Sequence, residues 1–202
     1  IRITEIFLSI QGESTNTGKP TVFVRTTGCP LRCVYCDTQY AFSGGTLVRI
    51  DEVLDQVDKF GVAAVTVTGG EPLAQKETLL LLRHLCDRNF EVSLETSGAI
   101  DLSEVDGRVV KVVDVKTPGS KEVGRNLWSN LTHLGAHDQV KFVICDRADY
   151  EWSRDKIESI EVASNVEILF SPSYEQLEPR VLAEWILADA LDVRFQIQLH
   201  KY

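Results

Sequence analysis

Gly28-Cys29-Pro30-Leu31-Arg32-Cys33-Val34-Tyr35-Cys36-Asp37-Thr38 holds three of the chain's five cysteines within eight residues. Their spacing is C-x-x-x-C-x-x-C, with no fourth cysteine or histidine nearby. A closed structural zinc site needs four protein ligands. A thioredoxin-like redox pair needs only C-x-x-C. Three thiolates on one short loop suit a cubane iron–sulfur cluster in which one iron lacks a protein ligand and stays open to a second molecule.

Working outward, Thr21–Thr27 (TVFVRTT) reads as a strand that delivers the chain to Cys29. Before it, Ile1–Ile10 is extended in character and runs into the polar turn Gln11-Gly12-Glu13-Ser14. After the cysteines, apolar residues at helical spacing predict helices over 50–60, 75–88, 148–160 and 178–191. Short β-branched runs predict strands over 62–68, 90–95, 109–115, 139–144, 166–170 and 193–199. Strands alternating with helix-length segments imply β-α units and a mostly parallel sheet. About six such strands fit a partial or small barrel, or an open doubly wound sheet. The stretch from Ile100 to Arg108 is too short for a full crossover helix, so the helical layer is expected to be incomplete.

The unusual residues fall just after strands: the cysteines, Gly69-Gly70-Glu71-Pro72, Thr96-Ser97-Gly98, Lys116-Thr117-Pro118-Gly119-Ser120, Ser171-Pro172 and His200-Lys201-Tyr202. In α/β folds ligands gather beyond the carboxyl ends of the strands, so these segments should converge on one mouth. Taken alone, Gly69–Pro72 is an ordinary strand-to-helix turn. Beside three cysteines, its glycines allow close backbone approach to a zwitterionic ligand, with Glu71 a charge partner for an ammonium group.

Bulk properties bound the reading. The 202 residues, 44% hydrophobic and 25% charged, suit one globular domain over 1–202. A net charge of −9 without a basic run argues against nucleic acid. No apolar run approaches a membrane span, and no signal-peptide pattern is visible. An odd, clustered cysteine set argues against a secreted disulfide framework and for the cytoplasm. Cys86 and Cys145 read as small buried hydrophobes.

The cysteine spacing with an aromatic at Tyr35, followed by GGEP, resembles the radical S-adenosylmethionine superfamily. That resemblance implies a 4Fe–4S cluster on Cys29, Cys33 and Cys36, with S-adenosylmethionine at the open iron. Tyr35 and Asp37 then flank the cofactor, and Gly70 and Glu71 meet its methionine part. A narrower resemblance covers most of the chain. EIFLSIQGE, FVRTTGCPLRCVYCDT, TGGEP, ETSG, DVKTPGS, VKFVI and QLHKY in that order resemble the 7-carboxy-7-deazaguanine synthase family.

This second resemblance implies an abbreviated, partial (β/α) barrel with mostly parallel strands, and a homodimer. It implies conversion of 6-carboxy-5,6,7,8-tetrahydropterin to 7-carboxy-7-deazaguanine with loss of ammonia, on the route to queuosine. Hydrogen abstraction from C6 by a 5′-deoxyadenosyl radical would precede ring contraction. Ser97, Asp114, Val115 and Lys116 fall in cofactor-binding segments. Ile10, Gln11, Gly12, Glu13, Arg25, Thr68 and His200 fall in substrate-binding positions, and Thr38 at a magnesium ion. An amide and a carboxylate at Gln11–Glu13 suit the donor and acceptor edge of a pterin. A guanidinium at Arg25 suits the substrate carboxylate. Ser14 stands where the family usually has glycine. Flavodoxin or ferredoxin is the usual electron donor of the superfamily. Alternatives are another small enzyme of that superfamily, such as a glycyl-radical activase, or a non-catalytic zinc-binding module.

Overall fold

The computed structural model describes residues 1–160, 163 and 165–201. Its strands are β1 (Arg2–Ile10), β2 (Pro20–Thr26), β3 (Thr46–Leu47), β4 (Ala64–Gly69), β5 (Glu91–Thr96), β6 (Val110–Val115), β7 (Gln139–Ile144), β8 (Glu167–Pro172) and β9 (Arg194–Phe195). They form one sheet in the order β3-β1-β2-β4-β5-β6-β7-β8-β9. β1 runs antiparallel to β2 and β3, and every other neighbouring pair is parallel. The helices are α1 (Ile50–Asp58), α2 (Glu77–Asp87), α3 (Arg147–Ser159) and α4 (Pro179–Ala188). None of them is long and apolar enough to cross a membrane. The sheet is open, which makes the architecture a partial α/β barrel.

The helical layer has a gap where the sequence implies one. β5 reaches β6 without a helix, and β6 reaches β7 through short 3-10 turns at Pro118–Ser120, Val123–Arg125 and Trp128–His133. Elsewhere the helices cover the outer face. α1 buries Val53, Leu54 and Val57, and α2 buries Leu81, Leu82, Leu85 and Cys86. Each aliphatic side chain so removed from water contributes about 1.5–3 kcal/mol before chain entropy is counted.

Strand periodicity divides the sheet into two unlike faces. Val22, Val24, Val65, Val67, Val92, Leu94, Val113, Val115, Val140 and Phe142 join the core beneath the helices. Their neighbours Phe23, Arg25, Thr68, Glu95, Val112, Asp114, Lys141 and Val143 line a cavity on the concave face. In a complete barrel that face would be filled with side chains. Here it holds space and charge.

Two parts of the sheet differ from the sequence expectation. β3 is a two-residue strand in a stretch for which the sequence predicts no strand. The last strand is two residues long, against the expected run to Leu199, and Leu199–Lys201 is a 3-10 turn. The cause is side-chain traffic. The Gln196 amide donates to Ser14 O at 2.7 Å and accepts from Ser14 N at 2.7 Å, and the Gln198 amide donates to Glu13 at 3.0 Å. Leu199 N then donates to Gly12 O at 3.1 Å. These bonds pull the terminal segment off the sheet edge and across the Gln11–Ser14 turn.

Ser14 itself takes φ +67°, the left-handed region a glycine would occupy freely. The two Gln196 bonds and Thr17 Oγ1, which donates to Ser14 O at 2.8 Å, hold it there. Ser14→Gly should therefore raise stability by about 1 kcal/mol, or roughly 2–4 °C in Tm, read by thermal unfolding. An unchanged or lower Tm would mean the serine is not strained.

Candidate active site

The concave face encloses a cavity of about 400 Å³. Its mouth is built by the segments just beyond β2, β4, β5 and β6 and by the terminal turn, while the Ser171-Pro172 segment, expected there too, does not line it. β2 delivers Gly28 and the cysteine loop. Gly28 N donates to Ala41 O at 2.7 Å, and Glu71 N donates to Gly28 O at 2.8 Å, which seats the loop against the turn after β4. Cys29, Cys33 and Cys36 all line the cavity and none is in a disulfide. Burial pushes the Cys29 thiol up and the Cys33 thiol up to about 11. Metal binding releases thiol protons, so iron would have to displace them. Among the described residues no three His, Cys, Asp or Glu side chains converge on one point. A single zinc ion held by the protein requires such convergence. A cluster takes one thiolate per iron at separate corners.

Gly70 lies hard against this loop. A Cβ there would overlap the Gly28 carbonyl oxygen and come within 2.8 Å of Cys29 Cβ. Beside the cysteines, Tyr35 Oη and Asp114 Oδ1 are buried without a hydrogen-bond partner among the described residues. Both residues line the cavity. Unsatisfied buried polar atoms at a cavity wall are what a bound polar ligand would repair. The site therefore fits a cluster with a polar cofactor beside it.

A chain of buried charge links this half of the cavity to the other. Lys116 Nζ lies 3.1 Å from Asp114 Oδ2, and Lys141 Nζ lies 3.4 Å from the same oxygen and 2.6 Å from Glu13 Oε2. Burial alone would push Glu13 and Asp114 up. Lys141 outweighs it at Glu13, and Lys116 with Lys141 at Asp114, so both carboxyls stay below their ordinary range. Burial would push both lysines down, yet the carboxylates hold them above the usual ammonium value. Glu95 goes the other way. Burial, then the Glu13 charge, raises its carboxyl, while Thr68 Oγ1 donates to it at 3.0 Å and Gln11 Nε2 at 3.2 Å.

The far wall is aromatic. Phe7 stacks on Phe23 with centroids 5.1 Å apart, and the Arg25 guanidinium lies 5.8 Å from the Phe7 centroid and 5.9 Å from that of Tyr40. Arg25 sits opposite Glu5 on β1, and its Nε donates to Glu5 at 2.7 Å, which leaves the terminal amino groups for a ligand. At the rim, Thr38 Oγ1 donates to Asp37 Oδ1 at 2.7 Å, while Lys201 Nζ and His200 Nε2 lie 2.5 and 3.4 Å from Asp37 Oδ2. Burial opposes ionisation of Asp37, but these three partners hold its carboxyl far below the carboxylate range. His200 packs on Gly12, where an added Cβ would meet Nδ1 at 2.8 Å.

The structure brings Ile10, Gln11, Gly12, Glu13, Arg25, Tyr35, Asp37, Thr38, Thr68, Gly70, Ser97, Asp114, Lys116 and His200 to this one cavity. Two expected residues do not line it. Val115 belongs to the core beneath the helices, because it is one step out of phase with Asp114 and Lys116 on β6. Glu71 is fully buried, and its carboxylate is consumed by Leu73 N, Thr96 Oγ1, Ser97 N and Ser97 Oγ. It ties the turn after β4 to the turn after β5 and has no capacity left for an ammonium group. Ser171 is also buried and does not line the cavity. Glu95, Lys141 and Gln198 were missed. The signal was present, since polar residues at every second position interrupt apolar strands in T-V-T, S-L-E and Q-V-K.

The chain matches the Radical SAM superfamily over residues 23–112, which agrees with the three-cysteine loop and the open parallel sheet. It is 46% identical to the 7-carboxy-7-deazaguanine synthase of Chlorobaculum tepidum over 100% of this chain and 93% of that protein. It is 42% identical to the synthase of Koribacter versatilis over 100% of this chain and 96% of that one. Among solved structures, that of QueE from Escherichia coli superposes with a TM-score of 0.80, at 23% identity, over 98% of this chain and 94% of that chain. Streptococcus suis SuiB bound to S-adenosylmethionine shares the fold with a TM-score of 0.59, at 14% identity, over 87% of this chain and 46% of that one. The chain belongs to the 7-carboxy-7-deazaguanine synthase family. Membership in the superfamily brings a 4Fe–4S cluster and S-adenosylmethionine as cofactors.

Lys141→Met leaves Glu13 and Asp114 buried without their shared counter-charge, and should cost about 3–5 kcal/mol at neutral pH. The sign with pH is fixed. In the wild type both carboxyls lie below their unfolded values of roughly 4, so their contribution is present above that pH and lost as pH falls through the folded values. In the variant burial acts with less opposition and Glu13 rises, so stability falls as pH climbs past roughly 4. Denaturant unfolding from pH 4 to 7 should show the variant losing stability relative to the wild type as pH rises. Parallel slopes would remove Lys141 from the charge chain.

Proposed function

We propose that the chain converts 6-carboxy-5,6,7,8-tetrahydropterin to 7-carboxy-7-deazaguanine with loss of ammonia. The observation that carries this reading is that one cavity contains both the three cysteines and the Gln11–Glu13, Arg25, Thr68 and His200 set. Residues 1–202 act as a single domain in it. When bound, the cluster with S-adenosylmethionine supplies a carbon-centred radical able to take a hydrogen atom from an unactivated C–H bond. The residues supply binding, orientation and exclusion of water. Cys29, Cys33 and Cys36 hold the cluster. The Gly70 backbone, Ser97, Asp114 and Lys116 line the cofactor half, with Tyr35 beside them. Asp114 Oδ1, which lacks a partner, accepts a donor from the cofactor.

In the substrate half, Gln11, Glu13 and Thr68 read the polar edge of the pterin against the aromatic wall. Arg25 grips its carboxylate. Thr38 supplies an oxygen to a magnesium ion that also meets the substrate, an arrangement that suits an ion keeping several of its waters. The Asp37–Lys201–His200 group closes the rim beside it. Glu95, whose carboxyl is held high by burial and by Glu13, is the group suited to hold or return a proton near the ring. Exposed Leu8 on β1 and Leu47 on the edge strand β3 give apolar surface for a homodimer. A cytoplasmic setting suits the free thiols.

Anaerobic reconstitution should load roughly four irons and four sulfides per chain. Reduced protein with S-adenosylmethionine and the carboxytetrahydropterin should form the deazaguanine product. Absence of product with an intact cluster would reject the substrate, and one zinc without sulfide would reject the cluster. Cys33→Ala should abolish both cluster and cofactor cleavage. Arg25→Lys should keep the cluster and raise KM about tenfold, equivalent to about 1.4 kcal/mol, since a lysine cannot grip a carboxylate with two parallel bonds. An unchanged KM would move the carboxylate elsewhere.

A further inference from the structure

The turn after β6 braces Cys33 from both sides. Val34 N donates to Ser120 O at 3.2 Å, and Arg32 N donates to Glu122 Oε1 at 2.5 Å. The amides flanking this cysteine are therefore both tied to residues 120–122. That segment is anchored in turn by buried Asp149, which accepts from Thr117 Oγ1 at 2.9 Å and Gly119 N at 2.7 Å.

The same segment sorts its charges. Glu122 is the one acidic residue among 118–125, and its carboxylate accepts from Arg32 N. Lys121 and Arg125 are exposed and free of ion pairs among the described residues. Arg32 is also exposed, its guanidinium donating to Cys29 O at 2.8 Å and Leu31 O at 2.6 Å and lying 4.2 Å from the Phe42 centroid. Val34 is 49% exposed, and residues 29–36 contain no acid. A chain of net charge −9 thus carries three exposed cations and an exposed apolar side chain in the cysteine loop and the turn hydrogen-bonded to it.

We propose that the face formed by Arg32, Val34, Lys121 and Arg125 is the docking surface for an acidic one-electron carrier protein that reduces the cluster. This rests on the reading of Cys29, Cys33 and Cys36 as cluster ligands. Complementary charge steers such an encounter and orients it. From the docked surface, one hydrogen bond, Val34 N to Ser120 O, leads to the residue bonded to Cys33. One electron passes per encounter. A donor flavin hydroquinone becomes the semiquinone as the oxidised cluster gains the electron, and no bond is made or broken.

The test is anaerobic stopped-flow reduction of the reconstituted cluster by flavodoxin hydroquinone, compared with reduction by dithionite. Lys121→Glu and Arg125→Glu should each lower the second-order rate with flavodoxin about tenfold at low salt, and weaken its salt dependence. Dithionite reduction and iron content should stay at wild-type levels. Lys59→Glu makes the same charge change after α1, ahead of β4 and away from the mouth, and should leave both rates unchanged. Flavodoxin rates within about twofold of wild type in both variants would overturn the proposal. So would an equal loss in Lys59→Glu, or a parallel loss with dithionite in both variants, which would make the turn a structural brace alone. A wild-type chain that takes up no iron and sulfide would reject the cluster reading, and the docking surface with it.

Discussion

The Lys141 ammonium, set between Glu13 and Asp114, is the interaction on which the rest of the site depends. It comes from β7 and touches a turn that leads out of β1 and a strand that leads to the cofactor segments. Removing charges from water costs several kcal/mol per ion, and a buried pair returns that only when geometry and further hydrogen bonds are good. Here the offset comes from numbers. Lys116 shares Asp114, and Gln198 caps Glu13. The reward is not stability, which an apolar concave face would supply better. It is a polarised cavity whose groups are already oriented before any ligand arrives, the condition for electrostatic assistance to a reaction.

The fold makes this affordable by dividing its labour along each strand. Outward residues are aliphatic and hold the helices. Inward residues at the alternate positions carry the chemistry. The missing helix between β5 and β6 and the short turns after β6 belong to the same economy of structure. Glu71 illustrates the cost of assembling a mouth from loops. A carboxylate that looked free in the sequence is spent joining two turns.

Much of this was legible in the sequence because its signals are local. The cysteine spacing, the glycines of GGEP and the strand-helix rhythm each depend on neighbours a few residues away. The mostly parallel sheet and the incomplete helical layer followed from those, as did the gathering of most strand-end segments at one mouth. What escaped depended on phase and on distant partners. Val115 was misassigned because adjacent residues of a strand face opposite ways. Glu71 was misread because its partners, Thr96 and Ser97, lie one β-α unit later. Glu95 and Lys141 sit inside apolar strands, and the alternation that sets them on the inner face is visible only once the phase of each strand is known. The last strand was drawn too long because Gln196 and Gln198 bond to a turn some 180 residues earlier. No local pattern announces that contact.

The central claim is that the concave face is one site with two coupled halves. Its most direct test is the affinity of the reconstituted, unreduced protein for carboxytetrahydropterin, measured by anaerobic calorimetry with and without saturating S-adenosylmethionine. A shared charge chain and a common wall predict at least a fivefold tighter binding with the cofactor present, with the reciprocal effect on the cofactor's own affinity. Equal affinities in the two titrations would contradict it and leave two independent pockets that happen to share a fold.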